Sequence, residues 1–226
     1  MSDQAQPAER LQAIALPGRP VLGFDLDLTL LDLRQATACA LDTVNARLGE
    51  HVDVEAVVAD LGPPFREQLR QWIPDERRLR AALPVFRRAF LDQGLPHVTA
   101  LPGARQAVDA AGLLGGYAVV ITGRRADTAS ACLSRCGITA AALVGGVTGL
   151  DKVDAMRRHR IDAYIGDHPL DMQAACAAPV PGIGVTTGSH ADPALLAAGA
   201  VAVASSLDEV TEWVRGAARR QATSRR

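Results

Sequence analysis

The chain opens its first strong pattern at Val21 to Phe24, a short apolar run ending on two carboxylates, Asp25 and Asp27. Such a run predicts a buried parallel strand whose carboxyl end carries polar function. From Leu33 the period changes to 3.6. Leu33, Ala36, Ala40, Leu41, Val44 and Leu48 share one helical face, and Gly49 is placed to end it. Phe65, Leu69, Trp72 and Ile73 predict a second helix, and Val85, Phe86, Ala89 and Phe90 a third. Residues 33–99 therefore read as all helical. After Pro102-Gly103, short β-rich runs alternate with helical stretches: Tyr117 to Ile121, Ala163 to Ile165, Gly182 to Thr186 and Ala200 to Ala204. Strands separated by single helices predict a parallel sheet covered on both faces. The expected organisation is an α/β core over residues 20–32 and 100–215, interrupted after its first strand by a helical insertion at 33–99. Residues 1–19 read as a loose leader and 216–226 as a basic tail without apolar periodicity.

Composition narrows the class. A chain of 226 residues that is 48% hydrophobic can bury a core, at a length between one domain and two. With 24 Lys+Arg against 25 Asp+Glu, the formal charge of -1 gives no overall cationic field, so neither nucleic acid nor a membrane is expected as partner. The longest apolar run, Ala194 to Ala204, falls short of the roughly 18 residues of a membrane span. The polar start MSDQAQPAER lacks the pattern of a secretory signal, which points to the cytoplasm. Cys39, Cys132, Cys136 and Cys176 form no Cys-x-x-Cys, so neither a disulfide framework nor a zinc site is indicated. Cys132 and Cys136, one helical turn apart, read as small buried apolar residues. Oligomeric state cannot be read from these features.

In an open parallel sheet, ligands bind beyond the carboxyl ends of the strands. Four polar sets stand there: Asp25-Leu26-Asp27-Leu28-Thr29; Thr122-Gly123-Arg124; Lys152 at a helix start; and Gly166-Asp167, with Asp171 four residues later. Carboxylates gathered at buried strand ends repel one another and call for a cation. Hard oxygen ligands with room for water and phosphate suit Mg²⁺ rather than zinc. Lys152 is the single lysine in the chain, every other basic residue of this count being arginine. A compact ammonium can serve a phosphoryl oxygen and a carboxylate together where a planar guanidinium fits less well.

These residues resemble the motifs of the haloacid dehalogenase-like superfamily, within it the helically capped, phosphoglycolate phosphatase-like members. Asp25 to Thr29 matches D-x-D-x-T, Ile121-Thr122 the apolar-Ser/Thr motif, Lys152 the lysine, and Gly166 to Asp171 the G-D-x-x-x-D motif. The resemblance covers residues 20–215 and implies a Rossmann-like core with a cap. It also implies an Mg²⁺-dependent phosphatase that hydrolyses a small phosphorylated metabolite through an aspartyl phosphate. By the resemblance, Asp25 is the nucleophile and Asp27 the general acid/base. Thr122 and Lys152 hold the phosphoryl oxygens. Asp25, the Asp27 backbone carbonyl and Asp167 take the metal, with Asp171, Thr29 and Gly123 in support. The alternative is a phosphosugar mutase, which passes the phosphoryl group to a sugar; a non-catalytic binding module ranks below both. Carbon-halogen hydrolysis is disfavoured by the second carboxylate, Asp27.

Other readings compete at single positions. Thr29 is also a candidate cap for the helix near Leu33, Asp32 a solvated or capping residue, and His168 an exposed histidine at a helix start rather than an acid. Arg66, Arg70, Arg77, Arg78 and Arg80 form a solvated cap face from which one or two could reach a substrate anion. Leu28 replaces the motif's usual glycine, which would alter the loop or crowd a small substrate. Gly182, Gly184 and Gly188 read as strand and turn glycines. Gly62-Pro63-Pro64-Phe65 resembles a cap segment of the phosphoglycolate phosphatases.

Overall fold

The computed structural model describes residues 7–224. Helix α1 (Pro7–Ala13) precedes the first strand, β1 (Val21–Phe24). A tight loop then leads to β2 (Leu31–Asp32) and to four helices, α2 (Arg34–Leu48), α3 (Val54–Ala59), α4 (Phe65–Arg70) and α5 (Glu76–Ala89). A π-helical turn at Phe90–Gly94 and a 3₁₀ turn at Leu95–His97 bring the chain back to β3 (Thr99–Ala100). Strands β2 and β3 pair antiparallel, Leu31 with Ala100 and Asp32 with Thr99, so the helical cap leaves and rejoins the core through one two-residue ribbon. The helix expected from Leu33 ends where Gly49 adopts φ 63°, a left-handed conformation glycine takes without a Cβ penalty.

The remainder alternates α6 (Ala104–Ala110), β4 (Tyr117–Thr122), α7 (Ala126–Arg135), β5 (Ala142–Gly145), α8 (Lys152–His159), β6 (Ala163–Gly166), α9 (Pro169–Ala177), β7 (Gly182–Val185), α10 (Asp192–Ala197), β8 (Ala202–Ala204) and α11 (Leu207–Ser224). The six-stranded sheet has the order β5-β4-β1-β6-β7-β8 and is parallel throughout. This is the Rossmann-like α/β core with a helical cap that the sequence leads one to expect. Strand β1 lies between β4 and β6, with Phe24 level with Val120 and Ile165. That register delivers the residues following β1, β4 and β6 to one edge of the sheet.

Both chain ends depart from expectation. Within the supposed leader, Leu11 is 1% exposed, and the Trp213 indole N–H donates to the Ile14 carbonyl at 3.0 Å. Within the supposed tail, α11 continues to Ser224 with Gly216 and Ala217 buried, and Gln221 donates to the Leu16 carbonyl. The two ends therefore pack together beside the sheet; residues 1–6 and 225–226 lie outside the described range. Strand β5 was not apparent in the sequence because its four residues are only half-buried at the sheet edge.

Candidate active site

A 3₁₀ turn at Gly149–Asp151 feeds α8, which places Lys152 at the first helical position, with only 4% of the residue exposed. Its Nζ donates to Asp25 Oδ1 at 2.6 Å, Asp171 Oδ1 at 2.6 Å and the Tyr164 hydroxyl at 3.1 Å. Tyr164 in turn donates to the Ile121 carbonyl at 2.9 Å. An ammonium has three protons, and here each finds an acceptor. Burial works against the charge on Lys152, but the Asp171 and Asp25 carboxylates outweigh it and hold the ammonium well above the usual lysine range.

Asp167, just beyond β6, is fixed by Thr29: the threonine hydroxyl donates to Asp167 Oδ1 at 2.6 Å and accepts from the Asp167 amide at 3.0 Å. Thr29 therefore supports Asp167 and does not cap α2; the N-cap is Leu33, which makes no side-chain cap bond, and Asp32 before it accepts from the Arg34 amide at 3.0 Å. Gly188 approaches so closely that a Cβ there would stand 1.9 Å from Asp167 Oδ2. It is thus a glycine the site requires, beyond its role in a turn.

Asp25, Asp167 and Asp171 each bring a carboxylate oxygen within 4.8 Å of the others, all three residues being buried. Against three carboxylates stands one ammonium. Burial, outweighing the Lys152 ammonium, pushes Asp25 up to about 7, with Asp171 and Asp27 adding to the rise. Burial, then Asp25 and Asp171, also raises Asp167 well above the carboxylate range. Oxygen donors with an excess of negative charge fit a hard divalent cation. Asp171 is committed to Lys152 through Oδ1 and faces the His168 amide with Oδ2 at 3.4 Å, which suits support rather than direct ligation.

Asp27 faces a different partner. Arg124 Nε donates to Asp27 Oδ1 at 2.9 Å and its NH2 group to Oδ2 at 2.6 Å, a two-pronged clamp on a side chain otherwise shielded from water. The guanidinium lies 4.6 Å from the centre of the Phe90 ring and reaches the Thr37 hydroxyl of α2 at 3.4 Å. Burial opposes its charge, while Asp27 more than restores it and raises the arginine above its usual range. The sequence places Arg124 at a strand end but gives it no role; its neighbour Thr122 is buried and accepts from the Arg124 amide at 3.1 Å. Gly123 lines the cavity, and a Cβ there would stand 2.3 Å from the Thr148 methyl.

His168 is buried rather than exposed. Its Nδ1 accepts from the Leu170 amide at 3.0 Å, its Nε2 faces Asp60 Oδ1 of the cap at 3.2 Å, and its ring stands edge-on to His190 at 4.5 Å. The His168 imidazole beside it holds Asp60 below the usual carboxylate range. Leu28 adopts φ 58° and is 3% exposed, with no share in the cavity wall. It alters the loop, at a backbone cost of about 1–2 kcal/mol that its buried side chain offsets, and does not crowd the substrate space.

A cavity of about 360 Å³ stands over Asp25, Asp27, Thr122 and Lys152, closed on the far side by the cap. The sequence matches the haloacid dehalogenase-like hydrolases over residues 22–185. The chain belongs to that family. Searching curated proteins gave no match. Among solved structures, this hydrolase is similar to a predicted phosphatase from Clostridium acetobutylicum, at 22% identity over 87% of this chain and 98% of that one, with TM-score 0.74. It is similar to a predicted phosphoglycolate phosphatase from Haemophilus somnus at 15% identity over 88% and 99% of the two chains, TM-score 0.74. A proposed β-phosphoglucomutase from Bacteroides vulgatus matches at 19% over 94% and 98%, TM-score 0.70. At these identities the likeness is one of fold. No described helix is long and apolar enough to cross a membrane.

Proposed function

We propose that this hydrolase is a phosphatase that cleaves a small phosphomonoester through an aspartyl phosphate, with Mg²⁺ as cofactor. The observation that carries the reading is Lys152, its ammonium held between Asp25 and Asp171 on the floor of a cavity roofed by the cap. A carboxylate oxygen of Asp25 attacks phosphorus; the new P–O bond forms as the bond to the leaving oxygen breaks, and Asp27 gives that oxygen its proton. In the second step water attacks the same phosphorus, Asp27 takes the water's proton, and Asp25 departs as carboxylate with release of inorganic phosphate. Asp27 serves both steps only by loosening its contact with Arg124. Thr122 holds a phosphoryl oxygen, and Lys152 takes another by exchanging its bond to Asp25 as that carboxylate engages phosphorus. Asp25, the Asp27 carbonyl and Asp167 would hold Mg²⁺, whose charge, when it is bound, offsets that of the transferring phosphoryl group.

Replacement Asp25→Asn tests the reading twice over. The variant should lose about 10⁴-fold or more in Mg²⁺-dependent phosphate release from an aryl phosphate, the loss expected when a nucleophile is removed. Its stability should move the other way. With Asp25 raised to about 7, the folded state retains between about pH 4 and pH 7 a proton that the unfolded chain gives up, so metal-free stability falls as pH rises through that window. Asn cannot ionise, and at pH 8 without metal the variant should melt above wild type. Unchanged turnover would sink the mechanism. Transfer to a sugar, the reading that the mutase-named fold neighbour suggests, predicts isomerised hexose phosphate with no inorganic phosphate.

A further inference from the structure

Above the phosphoryl site the cavity wall changes character. Leu61, Pro64, Phe65, Leu83, Phe86 and Phe90 of the cap all face it. Their rings form a row: Phe65 and Phe86 are 4.3 Å apart, Phe86 and Phe90 6.0 Å. The row begins at the proton donor, because Phe90 carries Arg124 on its face and Arg124 holds Asp27. Phe90 is itself buried beneath Arg124, so a leaving group protonated by Asp27 passes beyond it to the partly exposed Phe65 and Leu83 of the cap wall.

The polar side chains on the cap wall are mostly occupied. The Gln68 amide nitrogen donates to the Asp60 carbonyl, and Arg66 is paired with Glu76. Arg87, exposed on the wall, has no ion pair among the described residues. A polyhydroxylated leaving group would bring several hydroxyls against this surface and lose their water with few replacement bonds beyond those Arg87 offers. The volume, about 360 Å³, is ample for more than a two-carbon acid.

Resting on the phosphatase reading above, we infer that the substrate is a phosphomonoester whose alcohol is aromatic or branched apolar, rather than a sugar or a short hydroxy acid. The cap selects by removing hydrocarbon from water, while the core supplies all recognition of the phosphate.

The test compares three primary alkyl phosphates, so that leaving-group basicity stays nearly level: benzyl phosphate, glucose 6-phosphate and 2-phosphoglycolate, each with Mg²⁺. Benzyl phosphate should exceed both others by about 100-fold in kcat/KM, the scale on which an apolar pocket discriminates against added polar groups. Leu83→Gln, which adds a hydrogen-bonding group to a half-buried part of the wall, should narrow that ratio. Binding supplies a readout independent of turnover. Benzylphosphonate should bind about 100-fold more tightly than methylphosphonate by calorimetry. Glucose 6-phosphate or 2-phosphoglycolate equal to or better than benzyl phosphate would overturn the substrate class and leave the phosphatase reading standing. Tight benzylphosphonate binding with no phosphate released from any ester would support the class and overturn the phosphatase reading. Equal affinity for the two phosphonates would overturn the class whatever the turnover.

Discussion

The floor and the roof of the cavity are built by opposite means. On the floor, Lys152, Asp25, Asp171, Tyr164, Thr29 and Asp167 are held by hydrogen bonds of 2.6–3.1 Å, in a setting where burial pushes Asp25 and Asp167 upward. On the roof, the cap offers hydrocarbon and rings, with Arg66 paired to Glu76 and Arg87 the one lining cation without an ion pair among the described residues. A polar floor fixes positions to fractions of an ångström, because each donor and acceptor has one geometry that satisfies it. An apolar roof fixes volume and water exclusion, and tolerates several shapes. Chemistry common to phosphoryl transfer belongs on the first, and selection of the leaving group on the second. The floor should therefore fail sharply when a single group is changed, and the roof gradually.

The sharpest break is expected at Lys152→Arg. Three convergent acceptors surround a compact ammonium, and a planar guanidinium cannot present a donor to each of them in the same space. The variant should lose about 100- to 1,000-fold in kcat, as when an oxyanion donor is misplaced, though the positive charge remains. Lys152→Met goes further, leaving Asp25 and Asp171 buried without their cation, and should cost about 3–5 kcal/mol in stability by denaturant titration. An Arg variant with wild-type kcat would show that the floor needs a charge and not a geometry.

The floor was largely readable from the sequence, and the roof was not, for physical reasons. Asp25, Asp27, Thr122, Lys152 and Asp167 follow buried strands or open a helix, positions where a polar residue stands out against an apolar run. Phe65, Phe86 and Phe90 sit at helical spacing, where an apolar side chain facing a cavity cannot be told from one facing the core. Arg124 was visible as a strand-end residue, but its bond to Asp27 spans 97 positions of sequence. The left-handed backbone at Leu28 and the close approach of Gly188 to Asp167 are likewise products of tertiary contact. The same cause hid the packing of the two chain ends, since a short apolar stripe in an Arg- and Ala-rich tail gains meaning only against Leu11 and Leu16.

Arg124 joins the two surfaces and gives the intermediate effect. It clamps Asp27, the proposed general acid of the floor, while lying on Phe90 of the roof and touching Thr37 of α2. Arg124→Met keeps much of the hydrocarbon stem and removes the fork. With Asp27 free to take other rotamers, kcat should fall about 10- to 100-fold, the scale of a misplaced catalytic group. Lys at this position should restore little of it, since one ammonium cannot hold both carboxylate oxygens in plane. If Arg124→Met matched wild type in kcat, the arginine would be packing for Phe90 and nothing more.

The smallest effect is expected where cap and core meet at Asp60 and His168. Because Nδ1 of His168 accepts from the Leu170 amide, the ring proton lies on Nε2, 3.2 Å from Asp60 Oδ1, a buried oxygen that makes no well-aligned hydrogen bond among the described residues. Gly62 is pressed onto the same ring, where a Cβ would stand 2.1 Å from Cδ2, so the segment that begins the roof meets the core at this ring. Asp60 is 42% exposed, which limits the contact to about 1 kcal/mol after solvent screening. Asp60→Ala should raise KM by about fivefold at most and leave kcat nearly level, because it loosens the closure of the cap and touches no reacting atom. Asp60→Asn retains an acceptor for the Nε2 proton and should behave close to wild type. If Asn were as impaired as Ala, the charge of Asp60 and not its polar contact with His168 would be what seats the cap, and the roof would share more of the floor's electrostatic character than its hydrocarbon lining suggests.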